Sequence, residues 1–265
     1  MHRSFRYQET WLHKVNPSLK LLSLLILFLA ALFINNPNVL VNFAILLTII
    51  LFAFSGHPFK RVFWIAFPFF FISLTTAIPM ILFGTGEEQW IHWGIIQVSK
   101  ESFIRGLHIG LRAFAFSLLG LLFSLTTRPV YLFYSLMQQL KLSPKYAYSF
   151  MAGIRLIPIM IAEFQTIRSA LKVRGIQKRS GLKGVYHMMQ TYSIALLSQS
   201  IRRAHRMAVA MEAKRFKSSA QRTFYYQLGF SYLDWLWIGL VILMVPAIYL
   251  TGMHFPYIPI TDVRG

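Results

Sequence analysis

Five stretches of the 265-residue chain are apolar for long enough to cross a bilayer, which takes about 20 residues per helix. They run from about Leu19 to Ile34, Val39 to Phe54, Val62 to Phe83, Phe103 to Leu125 and Tyr232 to Leu250. Short polar breaks separate them: NNPN after the first, SGHPFKR after the second and TTRP after the fourth. A longer polar loop, GTGEEQWIHWGIIQVSKES, follows the third. Pro68 and Pro79 fall inside the third run, where membrane helices tolerate them. The N-terminal FRYQETWLHKVNPSLKLL is mixed polar and aromatic and reads as an interfacial lead-in, with Tyr7 and Trp11 near the headgroups. No small-residue cleavage site follows the first run, so it reads as a retained span.

The pattern changes between Pro129 and about Arg222. Three helices are predicted there. PVYLFYSLMQQL is short. A long one opens at Ser143-Pro144, an N-cap with proline at the first helical position, and runs to Arg174, with Gly175 as its cap. After the loop IQKRSGLKG a third runs from about Val185 to Phe216, and KSSAQRT links it to the last span. The two longer helices are apolar at first and basic at their ends.

The chain is 56% hydrophobic and carries a formal charge of +19. Thirteen of its 27 Lys and Arg fall between Arg168 and Arg222, with Glu212 the single acid there. Such a block calls for an acidic partner surface. Lys60 and Arg61 follow the second span, and Arg128, Lys141 and Lys145 follow the fourth. The loop after the third holds Glu87, Glu88 and Glu101. The positive-inside rule then puts the N-terminus and the basic block in the cytoplasm and the C-terminus outside, in a cell membrane. The expected fold is all-α and polytopic: four spans in 1–128, a cytoplasmic helical region in 129–230, and the last span with an external tail in 231–265.

Candidate chemistry is sparse. Without cysteine, disulfides and thiolate metal sites are excluded. The eight acids form no carboxylate pair or metal site on one helix face, and Glu87-Glu88 read as a solvated loop. No GxxxxGK[ST] motif is present, so any ATP used here binds to another chain. Arg105, His108 and Arg112 make a stripe on the fourth span. Either it contacts a partner or substrate path, or Arg105 snorkels while Arg112 is paired inside the bundle. The basic block lacks an aromatic-interleaved surface, which argues against nucleic acid.

The basic helix ends carry two readings. Cations at a helix C-terminus are favoured by the dipole at about 0.3–1 kcal/mol. Alternatively, small residues before each end, SAL and AVAMEA, permit close approach of another protein, to which arginine offers a carboxylate fork.

With TWLHKVNPSLKLL at the start, GLRAFAFSLLGLLFSLTTRP at the fourth span, and IRLIPIMIAEFQTIRSALKVRG and RRAHRMAVAMEAKRF in the basic region, the chain resembles the transmembrane T component of energy-coupling factor transporters, the CbiQ/EcfT family. The resemblance covers nearly the whole chain. It implies a non-catalytic subunit that binds no cofactor of its own. Its cytoplasmic coupling helices would dock two ABC-type ATPases and pass their ATP-driven motion to a membrane S component that takes up a vitamin, a vitamin precursor or a metal ion. Arg174 and Gly175 match the first docking signature, with Ala170 and Glu163 in the supporting segment. The second signature is usually Ala-Arg-Gly, and here reads Ala213-Lys214-Arg215. Lysine lacks the bidentate fork and Arg215 removes the permissive cap. Either Arg215 takes over docking or this end binds differently. A reading of another class is a membrane-embedded transferase holding a phosphorylated lipid or isoprenoid with its basic residues; the clustered carboxylates such enzymes usually need are missing.

Overall fold

The computed structural model describes residues 8–86, 89–93, 96–175, 181–216, 223–254 and 256–258. Several sequence expectations lie outside them: the interfacial Tyr7, the solvated Glu87-Glu88, residues 176–180 of the IQKRSGLKG loop, the linker at 217–222 and the tail from 259 onwards.

The chain divides into two compact units, Met1–Ser135 with Leu228–Gly265, and Leu136–Gln227. The first holds α1 (Trp11–Lys14), α2 (Pro17–Phe33), α3 (Pro37–Phe54), α4 (Phe59–Phe83), a hairpin of β1 (Gln89–Trp93) and β2 (Ile96–Ser99), α5 (Lys100–Thr126) and α9 (Tyr232–His254). Helix α6 (Pro129–Gln139) carries the chain across the boundary; α7 (Pro144–Val173) and α8 (Leu182–Ala213) make up most of the second unit.

Helices α2 and α3 start the same way. Asn16 and Asn36 are N-caps whose side chains accept from Ser18 N (3.2 Å) and Asn38 N (2.9 Å), with Pro17 and Pro37 at the first turn. Ser99 caps α5 reciprocally with Ser102. The expected polar loop after α4 contains a two-stranded antiparallel hairpin, Trp93 opposite Ile96 and Gln89 opposite Ser99, with a bulge between Gln89 and Ile91.

Helix α5 organises the first unit, packing on α2, α3 and, most extensively, α4. That last contact depends on small residues. A Cβ on Gly110 would lie 2.9 Å from Ala77 Cβ and 3.2 Å from Ser73 O, and one on Gly106 would strike Ile81. Gly106 and Gly110 are four apart, the spacing that lets membrane helices approach backbone to backbone. The core runs through Leu27, Leu40, Leu47, Leu51, Leu118 and Leu122. Trp11 sits edge-on to Phe54 at 5.3 Å and beside Trp237 at 6.2 Å, so it packs against protein, and buried Trp237 donates to Ser23 Oγ at 2.8 Å. In α5, Arg112 donates to the Ile34 carbonyl at 2.8 Å and meets His108 Nε2 at 2.8 Å, an arginine paired inside the bundle.

Five helices are long and apolar enough to cross a membrane: α3, α4, α5, α7 and α9. Helix α2, expected as the first span, has 17 residues and is the one shorter apolar helix among the described residues. Helix α7 joins the five as the least apolar of them, although its sequence pattern assigns it to the extramembrane region.

Candidate functional site

The second unit is built on one helix pair. Tyr148 of α7 meets Phe216 edge-on at 5.7 Å, Ser200 Oγ meets Met160 Sδ at 3.1 Å, Glu163 is ion-paired with Arg203, and Phe164 lies 4.9 Å from Tyr192. Residues later in α7 meet residues earlier in α8, so the two run antiparallel. Glu163, expected as a supporting residue, therefore holds the pair together. Arg203, Tyr148 and Phe216, which sequence reasoning did not single out, are its structural partners.

The antiparallel arrangement does not bring the two basic ends together. The end of α8 lies beside Tyr148, near the start of α7. Arg174 is at the far end, about 40 Å further along α7 at a rise of 1.5 Å per residue.

The two ends have nearly the same geometry. Arg174 is the C-cap of α7 at φ −72°, ψ 4°, and its N–H reaches the Ala170 carbonyl at 3.1 Å. Lys214 is the C-cap of α8 at φ −83°, ψ 9°, and reaches the Ala210 carbonyl at 3.2 Å. Gly175 follows at φ +70° and Arg215 at φ +52°. Gly175 N donates to Lys172 O at 3.1 Å and Arg215 N to Glu212 O at 2.8 Å; Phe216 N then closes on Met211 O at 2.9 Å. The two bonds at the end of α8 make the Schellman arrangement, which needs a left-handed residue after the cap. The expectation that Arg215 removes the permissive cap is thus corrected: Arg215 adopts the left-handed conformation itself, and Phe216 pins the turn against Tyr148.

Arg174, Gly175, Lys214 and Arg215 are all exposed, as are Ala170 and Ala213. A groove of about 570 Å³ opens at the end of α8, lined by Met207, Ala210, Met211, Lys214, Arg215 and Phe216. Cations therefore rim an apolar groove there, a surface suited to an acidic protein partner. Much of the pair's apolar surface is also exposed, Ile157, Ile161, Leu197 and Ile201 among it. Surfaces of that kind mark membrane or protein contacts.

A family model described as cobalt transport protein (CbiQ) matches residues 8–226. Curated relatives named energy-coupling factor transporter transmembrane protein EcfT match along most of their length. The protein of Macrococcus caseolyticus is 28% identical over 237 residues, covering 86% of this chain and 89% of that protein. That of Acidaminococcus fermentans is 28% identical, with 88% of each chain covered. That of Brevibacillus brevis is 29% identical, covering 85% and 88%.

Proposed function

The chain belongs to the CbiQ family of cobalt transport proteins, and from that membership we propose that it is the energy-coupling transmembrane subunit of an importer, driven by two ABC-type ATPases and serving a membrane S component. It is a multi-pass membrane protein. Its N-terminus and basic block lie in the cytoplasm, as the excess of Lys and Arg after the second and fourth spans requires. Energy enters as ATP bound and hydrolysed by the partners; this subunit passes on the motion, and its cargo is a vitamin, a vitamin precursor or a metal ion.

One observation supports this reading above the others: cationic ends with matching cap geometry, each followed by a left-handed residue, at opposite extremes of an antiparallel pair. A single anionic ligand would be gripped by cations that converge. Cations about 40 Å apart on a helical pair fit two separate sockets, one on each ATPase. Arg174 with Gly175 enters one, and Lys214 with Arg215 enters the other. The exposed apolar faces between them suit the S component and the membrane surface.

Co-purification tests the reading. The tagged chain is expressed with candidate ABC ATPases, extracted in mild detergent and compared with Arg174→Glu. The expected result is ATPase recovery with the wild type that falls at least tenfold in the variant, with the membrane fold unchanged. Equal recovery with both would remove Arg174 from the docking surface.

A further inference from the structure

The chain leaves its first unit at Ser135 and returns at Leu228. Both passages are tied to one buried group of polar side chains. Asn16 N donates to Asp234 Oδ1 at 2.6 Å, and Ser231 N donates to Asp234 Oδ2 at 2.7 Å. Ser135 Oγ donates to Asn16 Oδ1 at 2.7 Å, and Ser18 N reaches Ser135 Oγ at 3.1 Å. One turn along α2, the Lys20 ammonium donates to the carbonyls of Leu12 (2.6 Å) and Thr126 (3.1 Å). Asp234 and Lys20 are each 1% exposed, Thr126 and Ser135 0%.

Capping alone does not require this. Asn16 caps α2 through Ser18 N, and Asp234 sits three residues after Ser231 at the start of α9, where an acid normally reaches back to the cap N–H. Each of these groups also makes a hydrogen bond to a distant element. The result joins α1, α2, the end of α5, the middle of α6 and the start of α9. Hydrogen-bonded buried networks of this kind fix one geometry, because a shift leaves groups unpaired in a low dielectric. Inside the second unit the outgoing and returning chains are tied as well, by Gln138 Nε2 donating to the Tyr226 carbonyl at 2.6 Å.

We propose that the Asn16–Ser18–Ser135–Asp234 group is a fixed pivot: displacement of residues 136–227 reaches α2, α5 and α9 as one movement, where loose linkers would dissipate it. The proposal rests on the coupling reading above. Its residues are positioning residues, distant along the chain from the basic ends.

The cysteine-free sequence suits the test, since engineered cysteines carry nitroxides without background. The chain is assembled with its co-expressed ABC ATPases in nanodiscs, and distances are measured by pulsed electron resonance without nucleotide and after ATP–vanadate trapping. One label pair, Phe71 in α4 and Met189 in α8, reads the second unit against the first; another, Phe71 and Leu243 in α9, reads the first unit alone. In the wild type the first pair is expected to move between two narrow distributions. In Ser135→Ala and Asp234→Asn it should collapse to one distribution at least twofold wider, with the ATPases still bound and the second pair unchanged. A wild-type distance that ignores nucleotide would overturn the pivot, as would variants that keep both narrow states. Widening of the second pair in both variants would reduce the group to a fold stabiliser and overturn it too. Failure of the wild type to bind ATPases would instead overturn the coupling reading, and the pivot with it.

Discussion

Arg215 holds at the end of α8 the left-handed position that Gly175 holds at the end of α7, with φ at +52° and +70° respectively. A side chain in that region costs about 1–2 kcal/mol relative to glycine. Arg215→Gly should therefore firm the end of α8 by up to about 1 kcal/mol, part of the relief being lost to glycine's freer unfolded chain. Lys214 shares its backbone cap geometry with Arg174, so its Cα–Cβ bond leaves the helix end in the matching direction. Lys214→Ala should lower ATPase recovery well below that of Arg215→Gly. The reverse order in a pull-down would assign the contact to Arg215.

Glu163 and Arg203 are 21% and 27% exposed as side chains and join α7 to α8 near the middle of the pair. A double-mutant cycle with Glu163→Gln and Arg203→Met should return a coupling of about 1 kcal/mol, at the modest end for residues in contact because water still reaches both. Hydrogen exchange in the second unit reads it. A cycle that closes at zero would make the pairing incidental to holding α7 and α8 together.

Gly110 allows α5 to lie against α4. Gly110→Leu must push aside Ala77 and the Ser73 carbonyl, and overpacking of this kind costs about 1–3 kcal/mol. The thermal midpoint in detergent should drop, and should recover in part with Ala77→Gly, which opens the facing surface. No drop would show that the two helices can separate freely at this level.

His13 and His57 make stability fall with acid. Burial pushes both rings below their usual value of 6.5; the Lys20 charge adds to this at His13, partly opposed by the Leu125 carbonyl, and Arg61 adds to it at His57. As pH falls through 6.5 the unfolded chain takes up protons that the folded chain refuses. The contribution is complete above that pH and is lost on the way down through the folded values. The melting temperature should fall between pH 7 and pH 5, and a His13→Gln/His57→Gln double variant should show a flatter profile.

Helices α3, α4, α5 and α9 were legible as spans because an apolar run of about 20 residues matches the thickness of a bilayer, whereas α2 stops at 17 residues and α7, read as extramembrane, is long and apolar enough to cross. The observed bounds depart from the sequence reading by a few residues; the Asn-Pro caps move the starts of α2 and α3 to Pro17 and Pro37. The hairpin was obscured by its polar and charged neighbours, although Trp-Ile-His-Trp and Ile-Gln-Val-Ser on either side of Gly94 are rich in strand-forming Trp, Ile and Val. The basic ends stood out by composition. That they point apart did not, because antiparallel pairing depends on contacts such as Tyr148 with Phe216. The buried polar group was hidden for the same reason: Asn16 and Asp234 are 218 positions apart. Asp234 read alone is one more acid at the start of a helix, and only its second oxygen reveals the tie.

The unequal lengths of the apolar helices have a consequence for the surrounding lipid. Helix α2 has 17 residues and the apolar run of α4, which begins at Val62 after Lys60 and Arg61 and ends at Phe83, has 22, or about 26 Å against about 33 Å at 1.5 Å per residue. Both pack on α5. A hydrocarbon layer about 30 Å thick is deeper than α2 and slightly shallower than the apolar run of α4, so it would thin around α2 while α4 takes up its small excess by tilting. The thin side also holds a cleft of about 790 Å³ between α2, α3 and α9, lined by residues such as Leu27, Phe43 and Ile248. Hydrophobic mismatch thus makes the two sides of one small bundle prefer different acyl chain lengths, and chain length becomes a variable that can stabilise or strain this protein without any change in its sequence.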